Sequence, residues 1–261
     1  MIGALQGIFE WLPISSEGNI TVVLTALGQN PTAAVSYALF LHLGTAVSAT
    51  VYYRNELRGV LETVPSLELR RPFSSSPTAA FLGVATIASG VTGLAAYAAL
   101  ERLVTAFTGG VFIVVIGVFL VFTGILQRVS SAAALGDKDT PDFLDALLVG
   151  SLQGLAILPG VSRSGVTTSV LLFRSHDGQT SFQLSFLLSI PAALGGGLLA
   201  APDTGLVGVS ADTALLALGT AAVVGYLTID VLMRVVRRVS FWLVCLGLGA
   251  LAILGGLLIV F

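Results

Sequence analysis

Arg163 stands between Ser162 and Ser164 and is bracketed by Gly160 and Gly165, in the stretch LPGVSRSGVTTSV at 158–170. A guanidinium stays charged, and its planar fork matches phosphate oxygens better than an ammonium does. Gly160 and Gly165 would let the main chain approach a ligand, and Ser162, Ser164 and Thr167 add hydroxyl donors. A helix starting here would turn unpaired N–H groups and the positive end of its dipole toward an anion. The spacing predicts a phosphate cradle.

A second polar stretch, EWLPISSEGN at 10–19, offers Glu10, Ser15, Ser16, Glu17 and Asn19. Carboxylates beside a phosphate repel it unless they bind a divalent cation or move a proton. Hard oxygen ligands suit Mg²⁺ or Ca²⁺, so Glu10 and Glu17 are the expected metal ligands. A plainer alternative has Arg163 pairing with Glu10 or Glu17 only to lock two segments together. The enrichment in serine and glycine goes beyond what a salt bridge requires.

Look-alike motifs fail on inspection. GVSRSGVT mimics a phosphate-binding P-loop spacing, but Val166 stands where the lysine belongs. Another lipid-phosphatase superfamily carries a histidine after five residues beyond its SR pair, and here Ser169 stands in that place. His42 reads as a packed, hydrogen-bonded histidine rather than a catalyst. His176 reads as a loop residue with no specific role, and Asp230 as interfacial, close to Arg234 on the next turn.

These residues sit in an apolar chain. Of 261 residues 55% are hydrophobic and 10% charged, with a mean hydropathy of +0.97. Soluble domains carry about 25% charge, so the composition indicates a polytopic membrane protein. The net charge of −2 says nothing about nucleic acid, but the chain has no basic run to bind it, so no nucleic-acid partner is expected. One cysteine, Cys245, excludes a disulfide or cysteine metal site. The first cation is Arg54, so the start lacks the charged region of a signal peptide.

A membrane-spanning helix needs about 20 apolar residues. Six segments qualify, near 33–53, 78–100, 108–127, 181–201, 212–233 and 241–261. Two further stretches, near 2–28 and 142–173, are broken by proline, glycine and serine. Each reads as a re-entrant helical hairpin, tolerated at depth only where protein or a wet cavity satisfies the bare backbone. Two full helices kinked at proline are the alternative.

The broken stretches resemble each other. LQGIFEWLPISSEGNITVVL at 5–24 aligns, with a one-residue slip, to LQGLAILPGVSRSGVTTSVL at 152–171. Gln6, Gly7, Pro13, Ser15 and Gly18 then meet Gln153, Gly154, Pro159, Ser162 and Gly165. The expected architecture is one all-α membrane domain over 1–261, built from two repeats near 1–128 and 142–261. Three crossings per repeat invert the second relative to the first, with broken segments meeting near the midplane. Charge orients this plan. Arg54, Arg58, Arg70, Arg71, Arg128, Lys138, Arg174, Arg234, Arg237 and Arg238 fall on one face and only Arg102 on the other. The positive-inside rule makes the 54–77 loop cytoplasmic and puts both termini outside.

The two polar stretches resemble the motifs of the undecaprenyl pyrophosphate phosphatase, or bacitracin-resistance, family. That family's motifs read approximately ExxxEFLPxSSTGH and PGxSRSGxT. The second is intact here as Pro159, Gly160, Ser162, Arg163, Ser164, Gly165 and Thr167, and the first appears as QGIFEWLPISSEGN. SFQLSFLLSIPAALGGG at 181–197 also looks like the family's segment after its second motif. Gln6 replaces the first glutamate, Glu17 the threonine and Asn19 the histidine.

By resemblance, Glu10 would bind metal or activate a nucleophile, and Arg163 would hold a diphosphate. Ser16 or a water would attack, with Glu17 a replacement carboxylate. Ser15, Ser162, Ser164, Gly160, Gly165, Thr167, Asn19 and Gln6 would line the substrate site. The expected activity is hydrolysis of a polyprenyl diphosphate to the monophosphate and phosphate in the cell membrane, for lipid-carrier recycling, with Mg²⁺ or Ca²⁺ as cofactor. The lipid and the bilayer are the expected partners, with room for a homodimer. The alternative is a transporter or flippase of a lipid-linked phosphate using the same midplane site.

Overall fold

Pro31, Pro77 and the serine- and aspartate-rich junctions of the sequence are where helices begin in the computed structural model, which describes residues 1–68, 70–107, 109–133, 136–201, 210–236 and 238–260. The helices are α1 (Ile2–Phe9), α2 (Ser16–Ala26), α3 (Pro31–Tyr52), α4 (Arg54–Thr63), α5 (Pro72–Ser75) and α6 (Pro77–Ala106). They continue as α7 (Gly109–Ala133), α8 (Phe143–Gly154), α9 (Arg163–Phe173), α10 (Gly178–Ala200), α11 (Ala211–Val236) and α12 (Phe241–Val260). Six of them, α3, α6, α7, α10, α11 and α12, are long and apolar enough to cross a membrane. The fold is an all-helical, multi-pass membrane protein. Arg237, counted above on the basic face, and Thr108 and Phe261, at the ends of two expected spans, lie outside the described residues.

Each span sits within a few residues of its expected position except α6, which runs on to Ala106 and carries Glu101 and Arg102 as helical residues, and α7, which runs on to Ala133. The 54–77 loop contains α4, a helix without buried residues whose charged Arg58 and Glu62 pair at i,i+4. Neither α1 nor α2 is a span: at 1.5 Å per residue, helices of 8 and 11 residues fall well short of the roughly 30 Å hydrocarbon core.

The chain breaks where local chemistry requires it. Ser15 and Ser162, the matched serines of the two stretches, do the same job: Ser15 Oγ accepts from the Gly18 amide at 3.2 Å, and Ser162 Oγ accepts from the Gly165 amide at 3.2 Å. Each caps a helix whose first N–H groups would otherwise lack partners. α1 packs on α2 and α8 on α9, while α1 also packs on α11 and α8 on α6. Matched glycines seat both contacts. A Cβ on Gly7 would lie 2.7 Å from the Gly225 nitrogen, and one on Gly154 would lie 2.5 Å from the Gly93 nitrogen.

Away from those loops, Asp145 is fully buried and accepts from Lys138 at 2.5 Å, Arg174 at 2.6 Å and His176 at 2.9 Å. Asp142 closes the group, meeting Lys138 and Arg174 and forming a reciprocal capping box with Asp145. This corrects the reading of His176 as a loop residue without a role. It is fully buried and ties the chain after α9 to the start of α8. Asp230 lies close to Arg234 as expected, Arg234 Nε donating to its main-chain oxygen, and its carboxylate also accepts from the Tyr52 hydroxyl on α3.

Candidate active site

Glu10 closes α1 and is buried. Its Oε1 accepts from Arg163 Nη2 at 2.5 Å. Its Oε2 takes Gln6 Nε2 at 3.0 Å and Ser16 Oγ at 2.9 Å, and lies 3.2 Å from His42 Nε2. Arg163, the first residue of α9, thus meets a carboxylate 153 positions away. The salt bridge foreseen as the plainer alternative is present. It does not exhaust the guanidinium, because Arg163 Nη1 is buried and has no acceptor among the described residues. Glu17 is likewise buried, with Oε1 unpartnered there.

Two cavities meet at these groups. A small polar one of about 30 Å³ is bordered by Glu10, Ser15, Ser16, Ser162, Arg163 and Ser164. A larger one of about 360 Å³ shares Glu17, His42 and Arg163, then continues between α6, α10 and the turn after α8. Its far walls include Gly90, Gly93, Leu94, Gly195 and Leu199. A charged end therefore opens into an apolar recess.

The two loops are held to each other and to α7. Ser15 Oγ accepts from the Gly160 amide at 3.1 Å. On α7, Thr123 Oγ1 donates to Gly160 O at 3.2 Å and accepts from the Ser162 amide at 3.3 Å. One turn on, Gln127 Nε2 donates to Pro13 O at 2.7 Å. Gly160 has φ +99, and a Cβ there would lie 2.4 Å from Ile116 O. A Cβ on Gly165 would lie 2.6 Å from Gln127 Nε2. In the structure the close approach these glycines permit is between protein segments.

The remaining site residues divide. Gln6, Ser15, Ser16, Glu17, Ser162, Ser164, Glu10 and Arg163 are gathered around the small cavity or bonded to its lining. Asn19 and Thr167 turn elsewhere. Asn19 Nδ2 donates to Ile14 O at 2.7 Å and Ser15 O at 2.9 Å, and Thr167 Oγ1 donates to Arg163 O at 2.9 Å beside Ser185 Oγ at 2.6 Å. Two residues escaped the sequence reading: Thr123 and Gln127 lie in an ordinary apolar span, and only their polarity marked them. His42, read as a packed, hydrogen-bonded histidine, is hydrogen-bonded and also borders both cavities.

Residues 1–253 match the family described as bacitracin resistance protein BacA. The chain belongs to that family. It is 51% identical over 261 residues to the undecaprenyl-diphosphatase of Haloarcula marismortui, covering 99% of this chain and 96% of that protein. It is 38% identical over 259 residues to the undecaprenyl-diphosphatase of Methanococcoides burtonii, covering 97% and 96%. It is also 38% identical over 263 residues to the undecaprenyl-diphosphatase of Methanopyrus kandleri, covering 97% of this chain and 93% of that protein. None of these three names supports the transporter alternative. Within the BacA family pattern noted above, the departures at Gln6 and Asn19 now have defined positions. Gln6 still reaches Glu10, as an amide rather than an acid, and Asn19 braces the loop without facing either cavity.

Proposed function

We propose that this chain is an integral-membrane diphosphatase that hydrolyses a polyprenyl diphosphate to the lipid monophosphate and inorganic phosphate. The observation that carries this reading is Arg163 Nη1, a buried donor without an acceptor among the described residues, at the junction of a polar cavity and an apolar one. An unmet guanidinium N–H at that depth is costly unless an anion completes it. A diphosphate bearing an apolar chain matches both cavities at once.

In this reading Arg163 and the α9 start hold the phosphates, and the prenyl chain enters the recess between α6 and α10. Ser16 is the nucleophile, because its hydroxyl already donates to Glu10 Oε2. Glu10 takes that proton as Ser16 Oγ bonds to the terminal phosphorus. Preorganised donors then stabilise charge on the transferring group without rearranging. A divalent cation fits as cofactor through Glu17 rather than Glu10. Glu10 has both oxygens occupied by donors, whereas Glu17 Oε1 has none among the described residues. Among the described residues no group of three or more His, Cys, Asp or Glu could hold a metal. That suits Mg²⁺, which keeps most of its waters and often needs one carboxylate plus substrate phosphate. When bound, it would neutralise phosphate charge.

The same reading makes α1–α2 and α8–α9 re-entrant hairpins of an inverted repeat, with the 54–77 loop cytoplasmic and both termini outside, in the cell membrane. Their short lengths, mutual packing and matched serine caps support it. The test is phosphate release from a polyprenyl diphosphate by the purified protein, with and without Mg²⁺ or Ca²⁺. Release that disappears in Arg163→Ala is expected. Release retained in that variant would refute the site. Binding that needs Arg163 yet yields no phosphate would return the transporter.

A further inference from the structure

We propose that His42, on α3, is a catalytic residue that supplies from another helix the imidazole missing from the first motif. The inference rests on the diphosphatase reading above. Two alternatives for that imidazole are closed. Asn19, at the motif position, has its amide committed to two main-chain oxygens. His176 is locked in the Asp145 cluster beyond the far end of α9.

His42 is placed to act. It borders both cavities, together with Glu17 and Arg163, and its side chain is 16% exposed there. Its Nδ1 lies 3.0 Å from Ala38 O and its Nε2 3.2 Å from Glu10 Oε2. A carbonyl and a carboxylate only accept, so a ring making both contacts carries a proton on each nitrogen. The Ala38 bond fixes the ring's orientation and directs Nε2 to Glu10 Oε2, at residues that border the small cavity. Ser16 and His42 therefore converge on one oxygen, Glu10 Oε2, with Ser16 as donor at 2.9 Å.

That convergence defines a balanced proton path. As Ser16 Oγ bonds to the terminal phosphorus, its proton passes to Glu10 Oε2. The bond from phosphorus to the bridging oxygen breaks, its electron pair stays on that oxygen, and His42 Nε2 gives its proton there. The lipid monophosphate leaves protonated. Glu10 then returns its proton to His42 Nε2. In the second step water attacks the phosphoserine: one water proton stays on the released phosphate and the other reaches Ser16 Oγ through Glu10. No further reactant is needed.

The experiment compares wild type, His42→Ala and His42→Gln for phosphate release from a polyprenyl diphosphate, with thermal melts to verify folding. General acid–base assistance contributes about 10²–10⁴-fold. We expect kcat to fall by that factor in both variants while KM stays near the wild-type value. Added imidazole should restore turnover in His42→Ala, where a space is left, but not in His42→Gln. Pyrrole, similar in size but not basic, should restore none. Turnover within threefold of wild type in either variant would overturn the proposal, as would rescue by pyrrole equal to that by imidazole. Absence of release by wild type would instead remove the diphosphatase reading, and this role with it.

Discussion

Ser15 Oγ accepts the Gly160 amide at 3.1 Å while also capping its own helix through Gly18. One hydroxyl thus joins the two polar loops across 145 residues of sequence. Backbone approaches to match: a Cβ on Gly18 would lie 2.5 Å from the Gly160 nitrogen. The relative position of Glu10 and Arg163 depends on this joint, because each sits a few residues from it.

Removing the joint should loosen both loops. Ser15→Ala leaves two buried amides without an acceptor, each worth about 1–3 kcal/mol. We expect a lower melting temperature and a reduced kcat. Unchanged stability in a thermal melt would show that water replaces the hydroxyl.

Gly160→Ala meets two obstacles, a positive φ and the Ile116 carbonyl at 2.4 Å. Strained conformations of this kind cost about 1–3 kcal/mol before any clash is counted. The variant should express poorly or melt well below wild type. A normal melting curve would mean that α7 moves away easily.

Thr123→Val keeps the shape of the side chain and deletes its hydroxyl. Gly160 O and the Ser162 amide then lose a partner. Phosphate release should fall more than stability does, because the change lies under the loop that presents Arg163. Comparing kcat with the melting temperature separates these effects.

Gly90 and Gly195 border the apolar recess, and a Cβ on either meets nothing within 4 Å among the described residues. Gly195→Leu should therefore fold, gaining helix propensity of under about 1 kcal/mol, yet fill space intended for the lipid chain. Turnover of a long-chain diphosphate should drop while a short prenyl diphosphate is still hydrolysed. Equal loss for both substrates would place the chain elsewhere.

The Asp145 cluster sets a pH limit. Burial by itself would push Asp145 up, but hydrogen bonds from His176, Lys138 and Arg174 outweigh it and hold the carboxyl well below its usual range. The Asp142 carboxyl is also lowered: burial pushes it up, and bonds from Lys138 and the Asp145 amide prevail. A folded pKa below the unfolded one stabilises the protein above the unfolded value, about 3.9. That contribution disappears as pH falls through the folded pKa. Melting temperature should decline from about pH 5 downward, and Asp145→Asn should flatten that decline while lowering stability by about 3 kcal/mol.

The six spans, the two broken stretches and their resemblance were all legible in the sequence, because apolar length and the Gln-Gly, Pro, Ser and Gly order are local properties. Arg163 and Glu10 were also visible, since a charge or a hydroxyl cluster is conspicuous in so apolar a chain. Their partners were not. His42 is an isolated histidine within α3, and only packing of α3 beside α1 and α2 brings its ring to Glu10. Thr123 and Gln127 look like any polar residues of a long helix until α7 is laid under both loops. Asn19 and Thr167, which motif position placed in the site, are turned away by nearer carbonyl and hydroxyl partners. Local pattern determined which segments span the membrane and which break. Long-range packing decided which side chains meet, because those contacts join residues with no fixed spacing along the chain.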